Sequence, residues 1–516
     1  MKRLLHSLTT ASLVALLLFV GGCDITSLND NPNQPTAADP PKLLANAQID
    51  IADQYWQDYA GGFWVRYAQY WTTNQYTDAD RYRYASSRPG ALNALWENYY
   101  LALNDLQEIK RLNRENPSAQ AGFGSNANQI AIASIMQAWT LKTMTDMWGP
   151  IPLADALQGR SQGNFTPTYN SQEEVYNAIL DTLTQASNNI TGGTALAGGD
   201  VMYGGDMSKW KKFANSLKMR VAITMADADP GTASTAIEEA LNAGVFTSND
   251  DNALIAFNSA PPYQNPFFEN YEVAGRDDWA APASILDVMN DQNDPRRTFF
   301  FSDATPDQSG EQFVGFPYGL SQGDAQSLFT SGSFSRPSAE VSLDPSAPAI
   351  MMLYDEVLFI QAEAAFRNAT QANFNVPSIS AANGTQLYRD AVAASAEYWG
   401  VSSSNATSFA NSVPAATSGN YKQVLGTQKW IAQYLQGVPG WTTFRRLDFT
   451  GVLSPPDGDP GQDQFGRSFP TRMVYPTDES SLNEENLNAA ISNLLGGNSD
   501  NQGVLLWWDT SPPPNP

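Results

Sequence analysis

The side chains that most often perform nucleophilic catalysis are almost missing from this sequence. Its 516 residues contain one cysteine, Cys23, and one histidine, His6. A Ser-His-Asp triad requires an imidazole base, a Cys-His pair requires both partners, and most zinc sites use histidine or cysteine. Residues 319–323 match the G-x-S-x-G pattern of a nucleophile elbow. Since the only histidine belongs to the N-terminal segment, Ser321 has no base to activate it, and we interpret the match as a turn.

Carboxylates are the remaining groups that could support catalysis. Glu356 and Glu363 lie seven residues apart on one face of a predicted helix, and glycoside hydrolases use two carboxyl groups. Residues at this spacing stand roughly 10 Å apart along a helix axis, and the helix has the pattern of a scaffold element. A surface glycoside hydrolase with paired carboxylates stays as an alternative function.

One acidic segment resembles the start of a calcium-binding loop. Residues 457–463 place aspartates at alternating positions, as such loops do. The segment lacks the glycine expected at the sixth position, and Ser468 occupies the twelfth, where an acidic residue is required. We interpret it as an exposed turn and expect neither a metal site nor a cofactor.

The N-terminal residues have the features of a bacterial export signal. Two basic residues precede an apolar run over residues 8–20, which is shorter than the roughly 20 residues of a membrane-spanning helix. Residues 20–23, Val-Gly-Gly-Cys, resemble the lipobox, in which the cysteine is alkylated with diacylglycerol and becomes the first residue. We predict a lipoprotein signal peptide at 1–22 and lipidation of Cys23, which leaves no thiol for a disulfide.

Composition sets the expected organisation beyond the signal. Residues 23–41 are polar and rich in Asn, Asp and Pro, so we predict a lipidated tether. No linker is evident within residues 42–516, which we predict to be one domain held at the membrane by its lipid anchor alone. The formal net charge is −24. Because phosphate binding relies on basic surface, we exclude nucleic acid as a partner.

Hydrophobic periodicity predicts a mostly α protein. Apolar residues recur at spacings of three and four over residues 92–112 and 128–148, and we predict a strand at 253–258. Further helices are predicted at 172–190, 207–227, 281–290, 349–367, 385–399, 418–436 and 483–495. The intervening stretches are long and rich in Gly, Pro, Ser and Asn, and such loops are usually functional. The pattern favours stacked helix pairs that carry long irregular loops and few short strands.

Aromatic residues in polar surroundings are the candidate ligand-binding groups. The chain has 13 tryptophans and is 11% aromatic, and flat rings beside amides, carboxylates and guanidinium groups suit a sugar. Two segments, 63–90 and 265–282, combine both features. Their candidate residues are Trp71, Asn74, Tyr76, Asp78, Arg81, Tyr82, Arg276 and Trp279. The alternative for the helical part of the first segment is a buried stripe formed by Phe63, Trp64, Tyr67, Tyr70 and Trp71.

Several motifs in order along the chain resemble the SusD/RagB family of nutrient-binding outer-membrane lipoproteins, in the subgroup of the second SusD-like profile. The Asn-Pro-Asn entry segment lies at 28–36 and the aromatic-Gly-x-[VI]-Pro turn at 145–157. The other matching stretches are 209–230, 293–297, 347–368 with its Ala-Glu-Ala element, 427–447 and 471–509. Each motif alone is weak, but together they span nearly the whole chain.

The resemblance implies a fold and a function. It implies tetratricopeptide-like helix pairs in a lipoprotein of the outer membrane that faces the cell exterior. Such proteins are not enzymes. They bind an oligosaccharide or a peptide and deliver it to a SusC-like TonB-dependent β-barrel transporter. Their ligand contacts come from variable loops, so no site residue is carried over. A helical-repeat scaffold of the envelope is the other alternative, and it would not need aromatic loops.

Overall fold

The computed structural model describes residues 39–56, 62–83, 87–304, 312–456, 468–496 and 499–511. The predicted signal peptide, Cys23 and the acidic segment 457–463 lie outside the described residues. Residues from Pro40 onward cluster as one compact unit.

Helices make up most of the described chain. From α1 to α9 the bounds are Pro40–Trp56, Gly62–Tyr67, Pro89–Glu115, Pro117–Gln120, Asn126–Trp148, Gly159–Gln162, Gln172–Asn189, Met207–Thr224 and Pro230–Ala243. From α10 to α21 they are Pro266–Phe268, Ala283–Asp291, Arg297–Phe300, Gln322–Ser331, Ala339–Ser342, Tyr354–Thr370, Gly384–Tyr398, Ser403–Ser412, Tyr421–Ala432, Gly437–Leu447, Glu479–Leu482 and Glu484–Asn493. Strands β1 to β6 are Thr72–Thr73, Ile151–Pro152, Tyr169–Asn170, Ala253–Ile255, Trp279–Ala280 and Ala349–Met352.

Local sequence signals account for the ends of the long helices. Helix α5 begins after Ser125, whose side chain accepts a hydrogen bond from the Asn128 amide, and ends at Gly149, which has a φ of 90°. Helix α7 begins with a capping box in which Ser171 and Glu174 satisfy each other's backbone amides. Both devices supply partners to amide groups that the first helical turn leaves unpaired.

Consecutive long helices pack against one another to form the scaffold. Helix α3 lies between α1 and α5, α7 contacts both α5 and α8, and α8 contacts α9. The chain continues through α15, which packs on α8, α16 and α18, while α19 contacts α18 and α2. These contacts confirm the predicted helix-pair scaffold with few short strands.

Helices α1, α9, α13 and α17 have no predicted counterpart, the predicted strand at 253–258 ends at Ile255, and two predicted helices differ from the structure by more than three residues at one end. The predicted helix at 349–367 begins only at Tyr354, because Ala349–Met352 is strand β6, which pairs antiparallel with β4. The predicted helix at 418–436 ends at Ala432, and a separate helix, α19, follows it. Position 440 within α19 is occupied by glycine, because a Cβ there would fall 2.0 Å from the Tyr70 hydroxyl. Glycine is a poor helix former, so it weakens the helical pattern of the sequence at a position where close packing requires it.

A buried network of ion pairs joins the central helices. Glu363 on α15 accepts hydrogen bonds from Arg446 on α19, at 2.5 and 2.7 Å, and from Arg367, at 2.7 Å. Glu356, seven residues earlier on α15, accepts two hydrogen bonds from Arg220 on α8, at 2.8 and 2.5 Å. Burial opposes these charges, but the neighbouring guanidinium groups hold the pKa of both glutamates below the usual range. Ion pairs between charged side chains therefore link α8, α15 and α19.

We expect Glu363→Gln to destabilise the protein by about 3–5 kcal/mol, because Arg367 and Arg446 would remain buried without their shared carboxylate. The free energy of unfolding from urea titration measures the effect. The matched control is Glu115→Gln, since Glu115 pairs with Arg111 but its side chain is 56% exposed. An exposed pair of this kind contributes about 0–1 kcal/mol. Equal losses in the two variants would contradict a structural role for the buried network.

Candidate ligand-binding site

A two-stranded ladder brings the two predicted ligand-binding segments together. Strand β1 pairs antiparallel with β5, with Thr72 opposite Ala280 and Thr73 opposite Trp279. The pairing continues past the strand end, where the Asn74 amide donates to the Asp278 carbonyl at 2.8 Å. More than 200 residues of sequence separate these segments, so only the folded chain places them side by side.

A buried carboxylate fixes the loop that follows β1. Asp80 accepts hydrogen bonds from the Thr72 hydroxyl at 2.7 Å and from the Thr73 amide at 2.8 Å. Burial raises the pKa of Asp80 to about 6, although Arg66 and these hydrogen bonds lower it. Because both threonines also belong to the ladder, Asp80 ties the loop to the β1–β5 pair.

Four of the eight predicted ligand-binding residues are buried. They are Trp71, Asn74, Tyr82 and Trp279, with exposures of 1%, 6%, 0% and 2%. The Trp71 ring donates to the Tyr434 hydroxyl at 2.9 Å, and its centroid lies 4.5 Å from that of Phe267. The expectation that a loop displays these rings is not met. Partners distant in sequence cover Trp71, as the alternative of a buried stripe anticipated.

The other four predicted residues lie at the surface of the same two segments. Tyr76 is 47% exposed and has a φ of 54°, in the left-handed region that residues with a Cβ seldom adopt. The Arg276 guanidinium carbon lies 5.2 Å from the Tyr76 ring centroid and 5.5 Å from that of Trp279. Asp78 and Arg81 are half-buried. Tyr76 is therefore a displayed ring whose position the loop backbone and Arg276 define.

Residues that the sequence did not indicate complete the site. The Arg88 guanidinium carbon lies 5.1 Å from the Tyr76 ring centroid, and its Nε donates to Asp78 at 3.1 Å. Tyr271 stacks on Trp279, with ring centroids 5.9 Å apart and an interplanar angle of 20°. Both residues lie within the two predicted segments, but no local signal distinguishes them, since each joins the site through a partner eight or more residues away along the chain. We name the cluster of Tyr76, Asp78, Arg88, Tyr271 and Arg276 the Tyr76 site.

Three arginines at this surface, Arg88, Arg276 and Arg336, each pair with an aspartate. Arg276 pairs with Asp278, with Nε to Oδ2 at 2.8 Å, and Arg336 pairs with Asp277 beside it. The site thus combines exposed aromatic carbon with charged donors and acceptors of balanced sign. Sugar rings offer apolar C–H faces and hydroxyls that both donate and accept, so this surface has the groups to bind a neutral sugar.

The other chemical motifs have structural roles. Ser321 caps α13 by accepting a hydrogen bond from the Asp324 amide at 3.3 Å, as an N-cap serine does. Within the described ranges, no group of three or more His, Cys, Asp or Glu side chains is arranged to hold a metal ion. No helix in the same ranges combines the length and hydropathy needed to cross a membrane.

Comparisons with known proteins identify similar chains. A family model described as "Starch-binding associating with outer membrane", SusD-like in type, matches residues 32–476. Among curated protein sequences none matches. A SusD homologue from Bacteroides uniformis is 25% identical, with a TM-score of 0.73 over 91% of this chain and 99% of that one.

Two further solved structures share the fold. One, named a chitin-binding protein, is 24% identical, with a TM-score of 0.75 over 92% of this chain and all of that one. The other is a chitin-binding SusD homologue from Flavobacterium johnsoniae, 22% identical, with a TM-score of 0.73 over 91% of this chain and 99% of that one.

Alanine substitutions of Trp71 and Tyr76 distinguish a core ring from a surface ring by their effects on stability. We expect Trp71→Ala to lower the free energy of unfolding by about 3–5 kcal/mol, because it leaves a cavity in the core. Tyr76→Ala should change it by less than about 1 kcal/mol, since the ring is at the surface. Urea titration of both variants measures the difference. A small loss for Trp71→Ala would mean that its ring is not part of the core.

Proposed function

The chain belongs to the SusD-like family, and on this premise we propose that it captures oligosaccharides at the cell surface through the Tyr76 site. The observation that carries the proposal is the displayed Tyr76 ring, which is 47% exposed beside two paired arginines. Stacking of a sugar on an aromatic ring and hydrogen bonds to its hydroxyls need these groups. The family description and the relatives named for chitin binding support a glycan.

The capture role is favoured over glycoside hydrolysis. A hydrolase needs one carboxyl group whose pKa is raised and a second one near the scissile bond. Glu356 and Glu363 are buried, and ion pairs with arginines lower the pKa of both. Neither glutamate is placed to protonate a leaving group, and we propose a protein that is not an enzyme. An envelope scaffold without a ligand would give no reason for the exposed Tyr76 ring.

We further propose that the protein is a lipoprotein of the outer membrane. Residues 1–22 would be removed as a signal peptide, Cys23 would carry the lipid, residues 23–41 would form a tether, and residues 42–516 the binding domain. The family description associates such chains with the outer membrane. The partner would be a SusC-like TonB-dependent β-barrel transporter, which receives the ligand from this protein on the exterior face. The membrane contact would be the lipid anchor alone.

Loss of the Tyr76 ring should weaken glycan binding without unfolding the protein. We expect Tyr76→Ala to reduce the affinity for chito- or malto-oligosaccharides about 5- to 150-fold, since stacking on one ring contributes about 1–3 kcal/mol in comparable contacts. Isothermal titration measures the affinity, and peptides of similar length test the other ligand class. The control is Phe165→Ala, because Phe165 is 80% exposed but lies beside α6, outside the site. Unchanged glycan affinity in Tyr76→Ala would contradict the site.

Replacing the predicted lipidation residue tests the anchor. We expect Cys23→Ala to move the protein from the membrane fraction to the soluble fraction, because two or more acyl chains provide stable anchoring. Ser27→Ala is the control and should stay in the membrane fraction. In mild detergent, the wild-type protein should co-purify with a large β-barrel transporter. Membrane retention of Cys23→Ala would contradict the anchor, and purification without any barrel protein would contradict the partner.

A further inference from the structure

A cleft separate from the Tyr76 site lies between three scaffold helices. Its volume is about 250 Å³, and α3, α5, α7 and the loop at 152–158 form its walls. The walls are mainly hydrocarbon, from Leu103, Leu141, Leu153, Leu157 and Ile179. A single water molecule occupies roughly 30 Å³ in the liquid, so the cleft has room for a small organic molecule.

Lys110 is the one charged residue among the described residues that line the cleft. Its ammonium donates to the Gln137 amide oxygen at 2.8 Å, and no carboxylate of the described chain lies within salt-bridge distance. Burial, with a smaller contribution from Arg114, lowers the pKa of Lys110 to about 8. The group is still mostly protonated at pH 7. A half-buried cation paired only with a neutral amide is unusual, because charges in such places normally have an opposite charge.

The backbone of the cleft wall is strained at one residue. Leu157 lines the cleft and has a φ of 61°, in the left-handed region where a Cβ is disfavoured. The following residue, Gln158, closes the turn by donating from its side chain to the Ala154 carbonyl at 2.7 Å. Backbone strain of this kind concentrates at ligand sites, so the loop gives an observation independent of Lys110.

We propose that this cleft binds a small organic monocarboxylate with an apolar body, such as a short-chain fatty acid. Its carboxylate pairs with the Lys110 ammonium, and its hydrocarbon part packs against the leucine and isoleucine walls. Gln107 lies three residues before Lys110, on the same face of α3, and its amide can donate to the second carboxylate oxygen. One cation suits one negative charge, and the apolar walls disfavour a ligand rich in hydroxyls.

Titration of the folded protein with hexanoate tests the proposal. We expect saturable binding that Lys110→Met weakens at least about tenfold, because a hydrogen bond between two charged groups is lost. Hexan-1-ol, which has the same chain without the charge, should bind more weakly than hexanoate. Lys211→Met on α8 is the matched control and should bind as the wild type does. Glucuronate, a carboxylate with many hydroxyls, should bind more weakly than hexanoate.

A second variant tests the walls rather than the charge. Ala178 on α7 lines the cleft, and Ala178→Leu should fill part of it and weaken hexanoate binding while Lys110 stays in place. This variant decides the question if Lys110→Met does not fold. The proposal is overturned if the wild type shows no saturable hexanoate binding at millimolar concentrations, if Lys110→Met binds as well as the wild type, or if glucuronate binds at least as tightly.

Discussion

The scaffold depends on charges that are kept inside it. Glu363 holds two arginines, Arg367 and Arg446, from two helices, and Glu356 holds Arg220 from a third. Buried charges require complete pairing, because an unpaired one has lost its hydration without compensation. Helix-pair packing through apolar side chains alone tolerates sliding between helices. Bidentate arginine pairs do not, since their geometry is fixed, and so they set the positions of α8, α15 and α19.

The loops inherit their positions from this scaffold. Tyr70, two residues before β1, donates to the Trp430 carbonyl at 2.6 Å, and the Trp430 ring donates to the Ala68 carbonyl at 2.8 Å. Helix α19 approaches the same residue so closely that Gly440 cannot carry a side chain. The chain just before β1 is therefore held on α18 and α19. Since β1 pairs with β5, the segment at 265–282 is positioned by the same contacts. This explains how two irregular loops form one defined surface.

The sequence predicts the scaffold better than the site, for a physical reason. Helix periodicity is local, so the helices predicted at 92–112 and 172–190 follow from the spacing of apolar residues alone, and the structure has helices there. Whether an aromatic ring is buried or exposed depends on residues distant in sequence. Trp71 and Tyr76 have similar surroundings in sequence, yet Trp71 contacts Tyr434, just past the end of α18, and is buried, while Tyr76 has a left-handed backbone conformation and is exposed. The sequence does not indicate Arg88 for the same reason, because its role depends on contacts with Asp78 and Tyr76, at least ten residues earlier in the chain.

The Tyr76 site and the cleft at Lys110 differ in whether their cationic side chains already have carboxylate partners, and this difference favours different ligands. At the Tyr76 site Arg88 and Arg276 already have aspartates, Asp78 and Asp278. A charged ligand would have to compete with those pairs, whereas a neutral sugar can use the remaining donors and acceptors without breaking them. In the cleft the ammonium of Lys110 has only the Gln137 amide, so a carboxylate adds a pair where none exists. Since the whole chain carries a net charge of −24, long-range electrostatics do not favour an anion, and the proposed carboxylate depends on this local pairing with Lys110 and on the apolar walls around it.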